Sequence, residues 1–213
     1  MEVTYIILLI LATLAVALFF RKRSLLCTPL YIGFLFFTLT IEIIAHILKY
    51  TYKASNHGVY NVYLYVSFIC WFWWLTKKDN AKPQLSFWIA SSLLIAAAIF
   101  ENLFIINLWG FTSLAFAVGT ISYVILFIQK IYKAFAITDT LIPVYELVFL
   151  CAGLGFYVIF LFDILLYPTG LLSNPAWKAY TLDQIISRIV NFYFYITMAI
   201  SIWLSTIRPK EIV

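Results

Sequence analysis

Charged residues are scarce in this chain of 213 residues: they make up 11% of it, whereas a soluble globular protein has about 25%. Only two histidines and three cysteines are present, and they are not spaced as a set of zinc ligands. Glycine-rich nucleotide-binding loops and the HExxH metalloprotease motif are also missing. Because charge is sparse along the whole chain, a soluble enzyme, a nucleic-acid-binding module and a disordered protein are excluded.

Long apolar stretches dominate the sequence. Hydrophobic residues make up 65% of the chain, and its mean hydropathy is +1.01. A helix needs about 20 predominantly apolar residues to cross a bilayer. Stretches close to that length cover residues 3–20, 28–49, 59–76, 84–106, 109–129, 142–167 and 182–206. The sequence therefore predicts an all-α fold, a bundle of seven transmembrane helices in one integral membrane domain over residues 1–213. We expect a bacterial cytoplasmic membrane as its location, the lipid bilayer as its partner, and no nucleic acid.

The distribution of lysine and arginine predicts the orientation of this bundle. With the N-terminus outside, ten basic residues fall in inner segments and three in outer segments. Basic residues are enriched in short cytoplasmic loops, so we predict an N-out, C-in topology. The inner residues are Arg21, Lys22, Arg23, Lys77, Lys78, Lys82, Lys130, Lys133, Arg208 and Lys210. We expect them to act first as topological determinants and second as contacts for anionic lipid.

Small residues and tryptophans give hints about packing. Small side chains let backbones approach each other, so the small residues of the fourth and fifth spans suit close helix–helix contact. They are Ser92, Ala96 and Ala97 in the fourth span and Ser113, Ala117 and Gly119 in the fifth. Six tryptophans lie near predicted membrane–water interfaces, where aromatic residues are enriched, namely Trp71, Trp73, Trp74, Trp109, Trp177 and Trp203. These patterns predict close packing of helices four and five and aromatic belts at the membrane interfaces.

Polar and ionisable residues inside the predicted spans need an explanation, because burying a charge costs several kcal/mol unless it meets a partner or water. Depth along the spans places almost all of them towards the outer face, with Glu146 near the inner face. Helical spacing of three and four residues arranges them in stripes on spans two, three and seven. Stripes that face each other would enclose an outward-opening polar cavity. Its predicted lining is Glu42, His46, Tyr60, Asn61, Tyr63, Glu101, Asp163, Arg188 and Asn191.

Purely structural roles are the alternative for each of these residues taken singly. Arg188 could pair with Asp163, Glu42 or Glu101 and fix the packing of helices. A metal held by Glu42 and His46 is a weaker alternative, because the chain has only two histidines. We expect instead that the carboxylate orients the imidazole one turn away and forms a pH-sensitive pair. We predict no metal and no cofactor, and we assign no catalytic residue.

The acidic second span, the segment NHGVYNVY at 56–63 and the aromatic third span resemble a loose group of small bacterial multi-pass membrane proteins. That resemblance implies no particular activity. Spans one to three and five to seven also share a pattern, with an acid in the outer third of spans two and six. This order is similar to the 3+1+3 arrangement of SWEET-like facilitators, which would imply two parallel repeats.

These observations lead us to expect binding or translocation of a small polar solute or ion through the outer-facing cavity. One alternative is a membrane-embedded enzyme that modifies lipid, with Glu42 and His46 as acid and base. Another is a non-catalytic sensor or effector subunit that acts through a membrane partner or as a homo-oligomer. The sequence favours a protein without enzymatic activity.

Overall fold

The computed structural model describes residues 3–53, 55–77, 84–104, 113–136, 142–166 and 179–207. Within these ranges, only the backbone is described for residues 3–6, 163–166, 179–185, 187 and 188. Throughout these residues the regular structure is α-helix, and no strand is found. The helices are α1 (Val3–Phe20), α2 (Pro29–Tyr50), α3 (His57–Thr76), α4 (Leu85–Phe104), α5 (Ser113–Ala136), α6 (Val144–Leu166) and α7 (Ala179–Thr206). The predicted all-α fold with a helix at each of the seven apolar stretches is confirmed.

Several of these helices are suited to cross a membrane. Five contain a segment that is long and apolar enough, and α1 contributes the shorter apolar helix Ile7–Phe20. The five segments are Pro29–Tyr50, Leu85–Phe104, Ser113–Ala136, Val144–Phe162 and Ile189–Thr206. Large apolar side chains such as Ile99, Leu103 and Phe104 are exposed along these segments, as expected for a lipid-facing surface. The architecture is that of a multi-pass membrane protein, and the predicted orientation stays a prediction.

The helix ends follow from local chemistry. The Tyr31 backbone N–H donates to Thr28 Oγ1 at 3.3 Å, and Pro29 occupies the first helical position of α2, where no N–H is needed. The fifth helix continues to Ala136, beyond the predicted end at residue 129. The prediction stopped there because Lys130 and Lys133 are hydrophilic, but lysine is a good helix former.

The chain divides into two compact units, Met1–Leu39 with Ile142–Val213, and Thr40–Leu141. In the second of these units, α3, α4 and α5 pack against one another around aromatic side chains of α3. Phe68 and Trp71 are fully buried and make edge-to-face contacts with Phe116 and Tyr123 of α5. Gly119 lies directly beneath the Phe68 ring, and a Cβ at this position would overlap that ring. The predicted role of Gly119 in close packing is confirmed.

Two of the packing predictions for this unit are wrong. Of the tryptophans predicted for aromatic belts, Trp71 and Trp74 lie in its core, with 0% and 5% of their surface exposed, whereas Trp203 of α7 is 62% exposed. On α4, Ser92 and Ala96 are exposed, and the buried face runs through Phe87, Ala90, Ser91, Leu94, Ala98 and Glu101. Because both faces of this helix are apolar, its sequence does not show which of them packs against protein.

The other unit contains α1, α6, α7 and the first part of α2. Tyr193 of α7 lies over Gly155 of α6, and its hydroxyl donates to the Cys151 carbonyl at 2.9 Å. Farther along α7, Ser201 donates to the Tyr145 carbonyl at 2.6 Å. Beyond it, Ser205 hydrogen-bonds Ser24 at 2.5 Å. These bonds use the hydroxyl groups of tyrosine and serine to hold the helices and the segment after α1 together.

Candidate functional site

The second and third helices meet through a polar contact. The Tyr60 hydroxyl, in the first turns of α3, donates to Glu42 Oε2 of α2 at 3.1 Å. Both residues are half-buried. The bond satisfies one oxygen of a carboxylate that lies within an apolar helix, where an ionisable side chain needs a polar partner. The structure therefore brings together two of the predicted cavity residues.

Three more of the predicted residues lie near this contact in the sequence. Asn61 is buried, with 5% of its surface exposed, and Tyr63 is half-buried. The His46 ring packs on the Tyr50 ring, one turn along α2, with the ring centroids 4.5 Å apart. The expected orientation of His46 by Glu42 stays a prediction.

A second polar contact joins α3 to α4. Asn102 Nδ2 donates to the Tyr65 hydroxyl at 3.3 Å and to the Ala98 carbonyl at 2.7 Å. Its Oδ1 is buried and accepts no hydrogen bond from any group in the described part of the chain. An unsatisfied buried acceptor costs about 1–3 kcal/mol, so a donor that reached this oxygen would recover that free energy.

Tyr65 and Asn102 were not part of the predicted cavity lining. Successive residues of a helix are 100° apart, so Tyr65 lies about 140° from Tyr60 around α3 and close to the face of Asn61. The third helix thus carries polar groups on one face towards α2 and on another towards α4. The signal for the second face was an asparagine directly after Glu101, at a depth where an amide needs partners.

Glu101 has a different environment from the one predicted. Only 1% of its surface is exposed. Its Oε1 accepts from the Leu114 N–H at 2.9 Å and from the Ser113 hydroxyl at 3.2 Å, and its Oε2 accepts from the Ala115 N–H at 2.9 Å. The carboxylate therefore caps the N-terminus of α5, where the first N–H groups have no partner within the helix and the helix dipole favours negative charge.

The remaining predicted residues belong to the unit that contains α6 and α7. Asn191 is half-buried in α7. The side chains of Asp163 and Arg188 lie outside the described residues. The proposed ion pairs of Arg188 and its place in a cavity therefore stay predictions.

The part of the chain that the structure describes contains no cluster of side chains arranged for metal binding or thiol chemistry. No three His, Cys, Asp or Glu side chains come close enough there to hold a metal ion. Cys27, Cys70 and Cys151 are free thiols. Cys27 lies in the segment between α1 and α2, and its burial raises the pKa of the thiol above its ordinary value.

The groups around the polar segment of α3 can therefore do a limited set of things. The carboxylate of Glu42 and the amide oxygen of Asn102 are hydrogen-bond acceptors, and the tyrosine hydroxyls both donate and accept. Acceptors of this kind suit a cation or a solute rich in N–H or O–H groups. Comparison of the chain with protein-family models, curated proteins and solved structures finds no match.

Proposed function

We propose that this multi-pass membrane protein binds or translocates a small polar solute or ion, using polar side chains grouped around the first half of α3. The observation that carries the proposal is the hydrogen bond between Tyr60 and Glu42, which puts an acidic acceptor and a hydroxyl together among apolar helices. The buried Asn102 Oδ1 adds an acceptor on the neighbouring face of α3. A protein that only needed to pack its helices would gain more from apolar contacts than from these groups.

In this proposal each residue has a defined task. Glu42 supplies negative charge for a cation or for a donor group of a solute. Tyr60 holds that carboxylate through its hydroxyl and can exchange this bond for one to the solute. Asn102, held by Tyr65 and Ala98, presents its amide oxygen. We propose further that this end of α3 faces outwards, in line with the N-out, C-in topology suggested by the basic residues.

A ligand screen on the purified full-length protein tests this function. Thermal unfolding in detergent is followed with Na⁺, K⁺, ammonium, glycine and a neutral sugar as probes, because a ligand that binds only the folded state raises its stability. We expect at least one probe to raise the unfolding temperature. Glu42→Gln should weaken that probe's binding about tenfold or more, since a hydrogen bond to a charged group contributes about 1.5–3 kcal/mol.

Matched variants show whether the effect belongs to this site. Tyr60→Phe should weaken binding about 2–12-fold, because the hydroxyl can no longer form its hydrogen bond to the solute, and a hydrogen bond between neutral groups contributes about 0.5–1.5 kcal/mol. Tyr132→Phe, an exposed tyrosine on α5, should bind like the wild type. A probe that binds equally well to Glu42→Gln and the wild type would contradict the proposed site. Chemical turnover of a lipid that is lost in Glu42→Gln would favour the membrane-embedded enzyme instead.

A further inference from the structure

The end of the α3–α4–α5 unit opposite Tyr60 contains a basic pocket. It lies where α3 and α5 end and α4 begins, and Lys77, Lys130 and Lys133 contribute to its lining, with Gln84 and Ser86. The volume of the pocket is about 90 Å³. One water molecule needs about 10–15 Å³. The pocket therefore has room for a group larger than a single water molecule.

Hydrogen bonds to neutral groups position two of the three ammonium groups. Lys130 Nζ donates to the Trp74 carbonyl, in the last turn of α3, at 3.1 Å. Lys133 Nζ donates to Gln84 Oε1 at 2.9 Å. These two bonds orient the ammonium groups of Lys130 and Lys133 at the pocket. In the sequence, residues 77–84 and 126–133 together contain five lysines and a single acid, Asp79, so these two segments carry a net positive charge.

The same pocket contains further donors for an anion. It lies against the start of α4, at the positive end of the helix dipole, where the Leu85 and Ser86 N–H groups have no acceptor within the helix and the Phe87 N–H donates to the Gln84 carbonyl at 2.9 Å. The Ser86 hydroxyl adds another donor. Lysine binds phosphate as a point charge, and several such charges with helix N–H groups form a common phosphate-binding arrangement.

The surroundings of the pocket indicate where the phosphate comes from. Exposed apolar side chains flank it on α4 and α5, namely Leu85, Trp88, Tyr132 and Phe135. Tryptophan and tyrosine are enriched at the level of lipid headgroups, and basic pockets between membrane helices bind anionic headgroups. We propose that the pocket of Lys77, Lys130 and Lys133, here called the lysine pocket, binds the phosphate of an anionic phospholipid.

A purely topological role for these lysines would not require this arrangement. The positive-inside bias depends on the number of basic residues in a loop and not on their position relative to one another. Two lysines of α5, one of the segment after α3 and the start of α4 converge on a single pocket instead. The lysine pocket does not include Glu42 or Tyr60. Lipid binding at this pocket and solute binding near Tyr60 can therefore be tested separately.

Lipid retention by the full-length protein tests the lysine pocket. The protein is placed in nanodiscs of phosphatidylcholine mixed with phosphatidylglycerol, and the lipid that stays bound after transfer to detergent is identified by native mass spectrometry. We expect selective retention of phosphatidylglycerol. Lys77→Gln with Lys133→Gln should lower its affinity about 25-fold, since one lysine near an anionic lipid contributes about a fivefold effect. Both lysines are exposed, so this double variant should fold.

Controls separate this site from general charge and from free phosphate. Lys49→Gln with Lys53→Gln removes the same charge from exposed positions at the other end of the unit and should retain phosphatidylglycerol like the wild type. Lys133→Arg in the Lys77 wild-type background should retain it too, because the charge is kept. Equal loss in both double variants would overturn the proposal. Inorganic phosphate binding in pure phosphatidylcholine, without retention of phosphatidylglycerol, would also overturn it and identify a site for soluble phosphate.

Discussion

Removing the Glu101 carboxylate should destabilise the protein strongly. In Glu101→Ala, the Leu114 and Ala115 N–H groups and the Ser113 hydroxyl lose their acceptor in a site that water does not reach. A hydrogen bond to a charged group contributes about 1.5–3 kcal/mol. At the lower end of this range the two backbone bonds alone contribute about 3 kcal/mol, and the hydroxyl bond and the cavity left by the side chain raise the loss. We expect a total of about 3–5 kcal/mol.

This loss is large against the total stability of a folded domain, which is about 5–15 kcal/mol. For a chain of this size, it corresponds to a decrease in unfolding temperature of roughly 6–20 °C, followed by tryptophan fluorescence in detergent. Hydrogen exchange at the Leu114 and Ala115 amides should accelerate more than elsewhere in α5, because the change acts on its first turn. Glu101→Gln keeps the volume and one acceptor oxygen, so we expect a smaller loss of about 1–3 kcal/mol.

The control is Leu103→Ala on the same helix end, where the side chain is 71% exposed. A substitution on the surface changes stability by about 0.5 kcal/mol or less. Wild-type stability in Glu101→Ala, or a loss no larger than that of Leu103→Ala, would refute the capping role. Equal losses in Glu101→Ala and Glu101→Gln would show that charge, and not the number of hydrogen bonds, holds the start of α5.

Three further outcomes can be checked independently. Gly119→Ala should lower the free energy of unfolding in chemical denaturation by about 1–3 kcal/mol, because the new Cβ would overlap the buried Phe68 ring. In the control Gly33→Ala, the new Cβ has no neighbour within 4 Å, so the change should be neutral or slightly stabilising. In a variant whose other two cysteines are changed to serine, Cys27 should react slowly with a maleimide at neutral pH, because burial raises the pKa of its thiol and lowers the thiolate fraction. The reaction should become faster on unfolding, and rapid labelling of the folded protein would contradict the buried position. A tag fused after Val213 should be inaccessible to a membrane-impermeant label in intact cells, and labelling from outside would invert the proposed orientation.

The existence of the helices could be predicted from the sequence because their apolar stretches are long and their boundaries carry charge, proline or glycine. The faces of the helices could not be predicted equally well. In a soluble protein, a polar face marks the outside of a helix, whereas in a lipid-facing helix the outside is apolar too. This explains why the choice of Ser92 and Ala96 on α4 was wrong while Gly119, a residue with no side chain to place, was identified correctly.

The candidate site was predictable in part for a related reason. Charge inside an apolar span is rare enough to single out Glu42 and Glu101 by sequence alone. Their partners depend on contacts between helices. Glu42 meets Tyr60, a residue in one of the predicted stripes, whereas Glu101 turns to backbone N–H groups of α5, which carry no signal in the sequence. Asn102 and Tyr65 became part of the site only once α3 and α4 were seen to pack together.

Native mass spectrometry of the protein extracted from its membrane in mild detergent tests the solute-binding function most directly. We expect a wild-type species whose mass includes a small polar solute or ion. This added mass should be lost in Glu42→Gln under conditions where bound phospholipid is retained. Identical spectra for the wild type and Glu42→Gln, with no adduct other than lipid, would contradict the proposal that the polar groups around α3 bind a solute.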